Sequence, residues 1–177
     1  ITNTILFDIA IHGNNEIDTI DKKLQNFNIN IGKGNVIFFK QEDKHKENNE
    51  RFHEFAINSV IHNVFNKLGG DYLLKKQKEY YVLIAKFDIG LPNQIIKNRL
   101  LDLCMEVYRK CSNNLKITIN GAIGKIFNNI YEIHASYTSA LKALDYQFFE
   151  VTINVNHIDD VPRYDMIYEY VDYMSLY

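Results

Sequence analysis

Six histidines, two cysteines, a handful of serines and three glycine spots are the residues of this 177-residue chain whose types could carry chemistry. His12, His45, His53, His62, His134 and His157 form no HExxH motif and no short Cys/His cluster, so their spacing points to no metal site. Cys104 and Cys111 stand seven apart in a stretch with helical spacing. That puts them on one face but about 10 Å apart along the axis, beyond the reach of a disulfide. Two free thiols fit a reducing compartment and are too few for a redox motif. Ser59, Ser112, Ser136, Ser139 and Ser175 lack a nucleophile elbow. Gly121 and Gly124 precede Lys125, yet the flanking glycines and the Lys-Ser/Thr pair of a phosphate loop are missing. They read as close approaches of a neighbouring helix, or as a bulge. Gly69-Gly70-Asp71-Tyr72 reads as a glycine helix stop before a strand.

The composition narrows the function classes. Apolar residues make up 46 %, which excludes a disordered chain, and the length suits one domain with a real core. The formal charge is -2, from 20 basic and 22 acidic residues, so no excess of positive charge is available for a phosphate backbone. Direct nucleic-acid binding by this segment is not expected. No run approaches the roughly 20 apolar residues of a membrane span. Ile1–Ala10 has no basic flank and does not read as a signal peptide. The expectation is a cytoplasmic segment of a larger protein, without a cofactor.

The elements that must position these residues follow from periodicity. Ile5, Leu6 and Ile9 predict one short helix, stopped by Gly13; Ile17, Ile20, Leu24 and Phe27 predict a second. Val36 to Phe39 is a continuous apolar run, the mark of a buried strand. A helix over about 49–68 is expected to bury Phe52, Phe55, Ala56, Val60, Val64 and Leu68. A hairpin follows, turning at Lys76-Gln77-Lys78, then a helix over about 93–110 that buries Ile96, Leu100, Leu103, Cys104 and Val107. A strand over 115–126, a helix capped by Asn128 or Asn129 and running to about Phe148, and a short strand over 151–158 complete the order. After the opening helices this is the split βαβ order of a ferredoxin-like sheet, an α+β fold with helices on one face. The segments divide as 1–28, helical; 29–161, the α+β domain; and 162–177, a linker or exiting helix rich in tyrosine (Tyr164, Tyr168, Tyr170, Tyr173, Tyr177).

The most informative stretch is Ser136-Tyr137-x-x-Ala140-x-x-Ala143-Leu144-x-Tyr146-x-Phe148-Phe149, following the strand with Gly121 and Gly124. It resembles the central domain of YesN-type bacterial response regulators, two-component proteins of the AraC family. Those proteins join a receiver domain, this central domain and a C-terminal helix-turn-helix DNA-binding domain. The resemblance runs from the first helix to about Asp160. It implies a degenerate relative of the diguanylate cyclase (GGDEF) domain, with a nucleotide-cyclase-like sheet that has lost its chemistry. The implied role is regulatory: signal relay between receiver and DNA-binding domains in transcription regulation, with self-association as a homodimer. Two alternatives stay open, a small-molecule or nucleotide sensor and a cyclase-like enzyme.

The residues can be held against that resemblance. An active cyclase carries Gly-Gly-Asp/Glu-Glu-Phe in the hairpin turn, and an aspartate at the end of the first strand that shares magnesium with an acid of the turn. Here the turn reads Lys76-Gln77-Lys78-Glu79 and the strand ends Phe38-Phe39-Lys40-Gln41, with Glu42 and Asp43 further on. No glycine is present to let a nucleotide approach the backbone. No catalytic residue is assigned. The signature residues read as packing: small Ala140 and Ala143 let their helix approach the sheet, and Tyr137, Leu141, Leu144 and Phe148 form a core stripe. Tyr137 needs a partner for its hydroxyl.

Overall fold

The computed structural model describes residues 2–13, 32–42 and 50–162. The expected second opening helix, His45, Asp43 and the C-terminal tyrosines lie outside the described residues. The elements are α1 (Thr2–His12), β1 (Lys33–Gln41), α2 (Glu50–Phe65), β2 (Asp71–Gln77), β3 (Tyr80–Phe87), α3 (Asn93–Lys110), β4 (Ile119–Ile123), α4 (Ile133–Phe149) and β5 (Val155–His157). They form an α+β fold around one mixed five-stranded sheet, in the order β2-β3-β1-β4-β5. β1 is antiparallel to both β3 and β4, and β5 lies parallel to β4.

The continuous apolar run explains the place of β1. Lys33 to Phe39 are all buried, which only a strand covered on both faces and paired on both edges allows. Phe38 and Phe39 point to opposite faces, and full burial of each side chain is worth about 1.5–3 kcal/mol.

Helices on one face were expected; they cover both. Ile57 and Ile61 of α2, with Leu100 and Val107 of α3, pack on Ile37 and Phe39. Leu6 and Ala10 of α1, with Ala140 and Ala143 of α4, pack on Val36 and Phe38. The crossover between parallel β4 and β5 carries α4 to the second face.

The expected burial of α3 holds residue for residue. That of α2 does not. Its buried side is Ile57, Ile61, Val64 and Phe65, continued by Leu68 beyond its end, whereas Phe52 is 63 % and Phe55 72 % exposed. The apolar residues of α2 make two stripes at helical spacing, and the aliphatic one faces the sheet. β4 begins later than expected, because a π-helical turn, Cys111–Leu115, extends α3 and ends at Lys116 in the left-handed conformation. The hairpin turn is Lys78-Glu79, with Gln77 opposite Tyr80 and Lys78 at φ 53°. Gly69, at φ 73°, follows α2 and precedes β2 as expected.

Candidate functional site

The signature residues meet where α4 lies on β1 and β4. Before α4, the Asn129 side chain accepts a hydrogen bond from the Tyr131 N–H and opens a short 3-10 turn, Ile130–Glu132. Ser136 is fully buried, and its Oγ accepts the Val36 N–H at 2.9 Å. Ser139 Oγ accepts the Lys125 N–H at 2.8 Å and donates to the Ser136 carbonyl at 2.9 Å. Gly124 is required by this approach: a Cβ there would stand 2.0 Å from the Ser136 carbonyl oxygen. Gly121 faces the other way, where a Cβ would meet Phe39 Cε1 at 3.1 Å and Cys104 Cβ at 3.4 Å. Both glycines are thus close-approach positions, as expected.

Ala140 and Ala143 are fully buried and Leu144 nearly so. Tyr137 is half-buried, with its ring edge against Phe38 at 4.9 Å. Burial pushes its hydroxyl pKa up, opposed by a hydrogen bond with the Gln77 side chain. Tyr146 is half-buried as well. Phe148 departs from the expected stripe. It is 83 % exposed, Phe149 is exposed beside it, and the two rings meet edge to face at 5.9 Å. They lie in the last turn of α4, which ends at Phe149.

Polar residues outside the signature complete this contact. Gln147 is buried, and its Nε2 donates to the Gly121 carbonyl at 2.9 Å and to Asn156 Oδ1 at 2.8 Å. Asn156 Nδ2 donates to the Ala143 carbonyl at 2.9 Å. Their only sequence signal is polarity within apolar surroundings.

Among the described residues, two clefts lie at opposite ends of the sheet. The first, about 500 Å³, is at the hairpin end on the α4 face, lined by Lys40, Glu42, Tyr80, Asn120, Gln147 and Phe148 among others. Asn120 Oδ1 and Gln147 Oε1 are buried without a hydrogen-bond partner. Lys40 stands 4.0 Å from Glu79 and 5.6 Å from the centre of the Tyr80 ring. The second, about 380 Å³, is at the carboxyl ends of β4 and β5, between them and the start of α3. Asn35, Asn93, Lys97, Lys125, His157 and Asp159 are among its lining. His157 is buried, and its Nδ1 accepts the Asp159 N–H at 3.0 Å, which leaves the ring proton on Nε2. Burial holds its pKa below the usual value, against the pull of Asp159 and Asp160. A third hollow, about 510 Å³, beside Gly70, Asp71, Lys86 and Asp88, contains none of the unpartnered buried atoms found among the described residues.

The other reactive types are dispersed. His62 Nδ1 bonds the Tyr72 hydroxyl at 2.8 Å, and His134 Nδ1 donates to the Ala10 carbonyl at 2.8 Å. Cys104 and Cys111 are free and buried, and burial pushes both thiols up, Cys111 to about 11. Such thiols are poor nucleophiles at neutral pH. Among the described residues no group of three or more His, Cys, Asp or Glu could hold a metal ion, and no helix is long and apolar enough to cross a membrane. No family model and no curated protein matches the chain.

Proposed function

We propose that this chain is a non-catalytic regulatory domain, the cytoplasmic relay module of a YesN-type, AraC-family response regulator, with a degenerate cyclase-like sheet. One observation carries the reading. Where an active cyclase holds two acids for magnesium, at the end of β1 and in the hairpin turn, this chain has Lys40 beside Glu79. An ammonium at that distance opposes a divalent cation by simple repulsion. The turn itself offers Lys78 in place of a glycine. Relay is assigned to the signature contact: Ser136, Gly124 and Ser139 tie the register of α4 to β1 and β4. A push on α4 then reaches the central strand. The receiver and helix-turn-helix domains of the full-length chain would supply and read that push. Self-association would cover Phe52 and Phe55 on the outer side of α2.

Two measurements test this. Purified protein given GTP and magnesium should make no cyclic dinucleotide; product formation would refute the non-catalytic reading. In a full-length regulator, deleting this domain should abolish phosphorylation-dependent transcription, and an undiminished response would refute the relay. A second reading, a ligand sensor, is favoured by the hairpin-end cleft. Two acceptors without partners there, Asn120 Oδ1 and Gln147 Oε1, would be satisfied by a ligand that donates hydrogen bonds.

A further inference from the structure

The cleft at the carboxyl ends of β4 and β5 presents opposite chemistries side by side. Part of its lining is positive. α3 begins there after Pro92, with no side-chain cap and no acid in its first turn. The first N–H groups of an 18-residue helix therefore face outward with the positive end of its dipole. Lys97 and Lys125 line the cleft too, Lys97 bonded to Asp160 at 2.8 Å and Lys125 exposed. Lys33, itself buried, places its ammonium behind it, donating to Asn93 Oδ1 at 3.3 Å and to the Leu91 carbonyl, both neutral oxygens. Helix starts of this kind bind oxyanions.

Other lining groups accept instead. Asn35 is 1 % exposed, and its Nδ2 is committed to the Gly124 carbonyl at 2.8 Å. Its Oδ1 has no partner, and such a buried acceptor costs about 1–3 kcal/mol if left so. Asp159 and Glu132 also line the cleft. A plain anion such as phosphate would satisfy the helix start and leave Asn35 Oδ1 unmet in a cleft that also holds two carboxylates. A plain amine would do the reverse.

We propose that this cleft binds a small amphoteric molecule, an α-amino acid or close derivative. Its carboxylate lies at the start of α3 with Lys125, and its ammonium lies toward Asn35 Oδ1 and Asp159. The volume, about 380 Å³, lies within the ~300–1,000 Å³ of small-molecule sites and suits a ligand of that size. The site is separate from the hairpin-end cleft and does not depend on the relay reading.

The test is calorimetric titration of the 177-residue chain with each of the twenty common L-amino acids at neutral pH. For the tightest binder, its deaminated acid and its decarboxylated amine follow, then inorganic phosphate alone. At least one amino acid should bind saturably, and each half-molecule at least tenfold more weakly. Lys125→Glu, at an exposed position that folding tolerates, should weaken binding at least tenfold; Asn35→Ser should do the same if it folds. Lys67→Glu, remote from the cleft, should change nothing. The proposal is overturned if no amino acid binds, if Lys125→Glu binds as tightly as the parent, or if a half-molecule or phosphate binds as well as the whole. Binding here is read without turnover or transcription, so its failure is separable from a failure of the relay reading.

Discussion

The two faces of the sheet are built on different principles. On the α2/α3 face the buried cluster, from Ile37 to Ile123, is made of apolar side chains with two thiols and the Tyr81 phenol among them. On the α1/α4 face apolar packing is joined by side chains that bond directly to backbone: Ser136 to Val36, Ser139 to Lys125, Asn156 to Ala143, and Gln147 to Gly121. Apolar contact is non-directional, so the first face fixes distance better than register. Hydrogen bonds have narrow geometry, so the second fixes the position of α4 along the strands. Ser136, Ala140, Ala143 and Leu144 lie on the second face, where the proposed relay would act.

The largest test of that contrast is Gly124→Ala. A methyl 2.0 Å from the Ser136 carbonyl must push α4 off its register, at a cost of about 3 kcal/mol in urea unfolding. Gly121→Ala, whose nearest atoms are at 3.1 Å and 3.4 Å on the apolar face, should cost about 1 kcal/mol. Equal costs would erase the difference between the faces. Ser136→Ala comes next, at about 2 kcal/mol, because it strands the buried Val36 N–H. The reciprocal change, Cys104→Ser, puts a hydroxyl among the apolar neighbours of a fully buried position and should cost about 1–2 kcal/mol. A stabilised Cys104→Ser protein would show that the apolar face holds an unrecognised acceptor. The smallest effect concerns His157. Its folded pKa lies below the unfolded value, so the unfolded chain binds the proton first as pH falls. Stability should therefore be full above about pH 6.5 and decline as pH drops from there toward the folded pKa. His157→Asn should flatten that slope in thermal melts between pH 7.5 and 5.5.

Much of this architecture is legible in the chain because the signals are local. Val36 to Phe39 announces a strand buried on both sides, and the spacing of Ile96, Leu100, Leu103, Cys104 and Val107 predicts the buried side of α3. Errors arise where two local signals compete. In α2 the stripe that starts at Phe52 and Phe55 competes with Ile57, Ile61 and Phe65, which face the sheet together with the expected Val64 and Leu68. Phe148 continues the i, i+4 series of α4 yet falls in the turn that reaches solvent. Placement of helices on both faces is a property of the β4-to-β5 crossover, which no single segment encodes. The clefts are illegible for the same reason: Asn35, Asn93, Lys125 and His157 come from four separate segments and meet only when the sheet closes.

The central place of β1 also sets a schedule. Its partners are β3, and then β4 through Ile37 opposite Ile123. A ribosome adding ~5–20 residues per second needs on the order of ten seconds to travel from the one residue to the other. For that interval the most apolar strand of the domain has an open edge. Its nascent chain is a natural client for a chaperone that shields extended apolar segments, and rapid overexpression without one should send it to inclusion bodies.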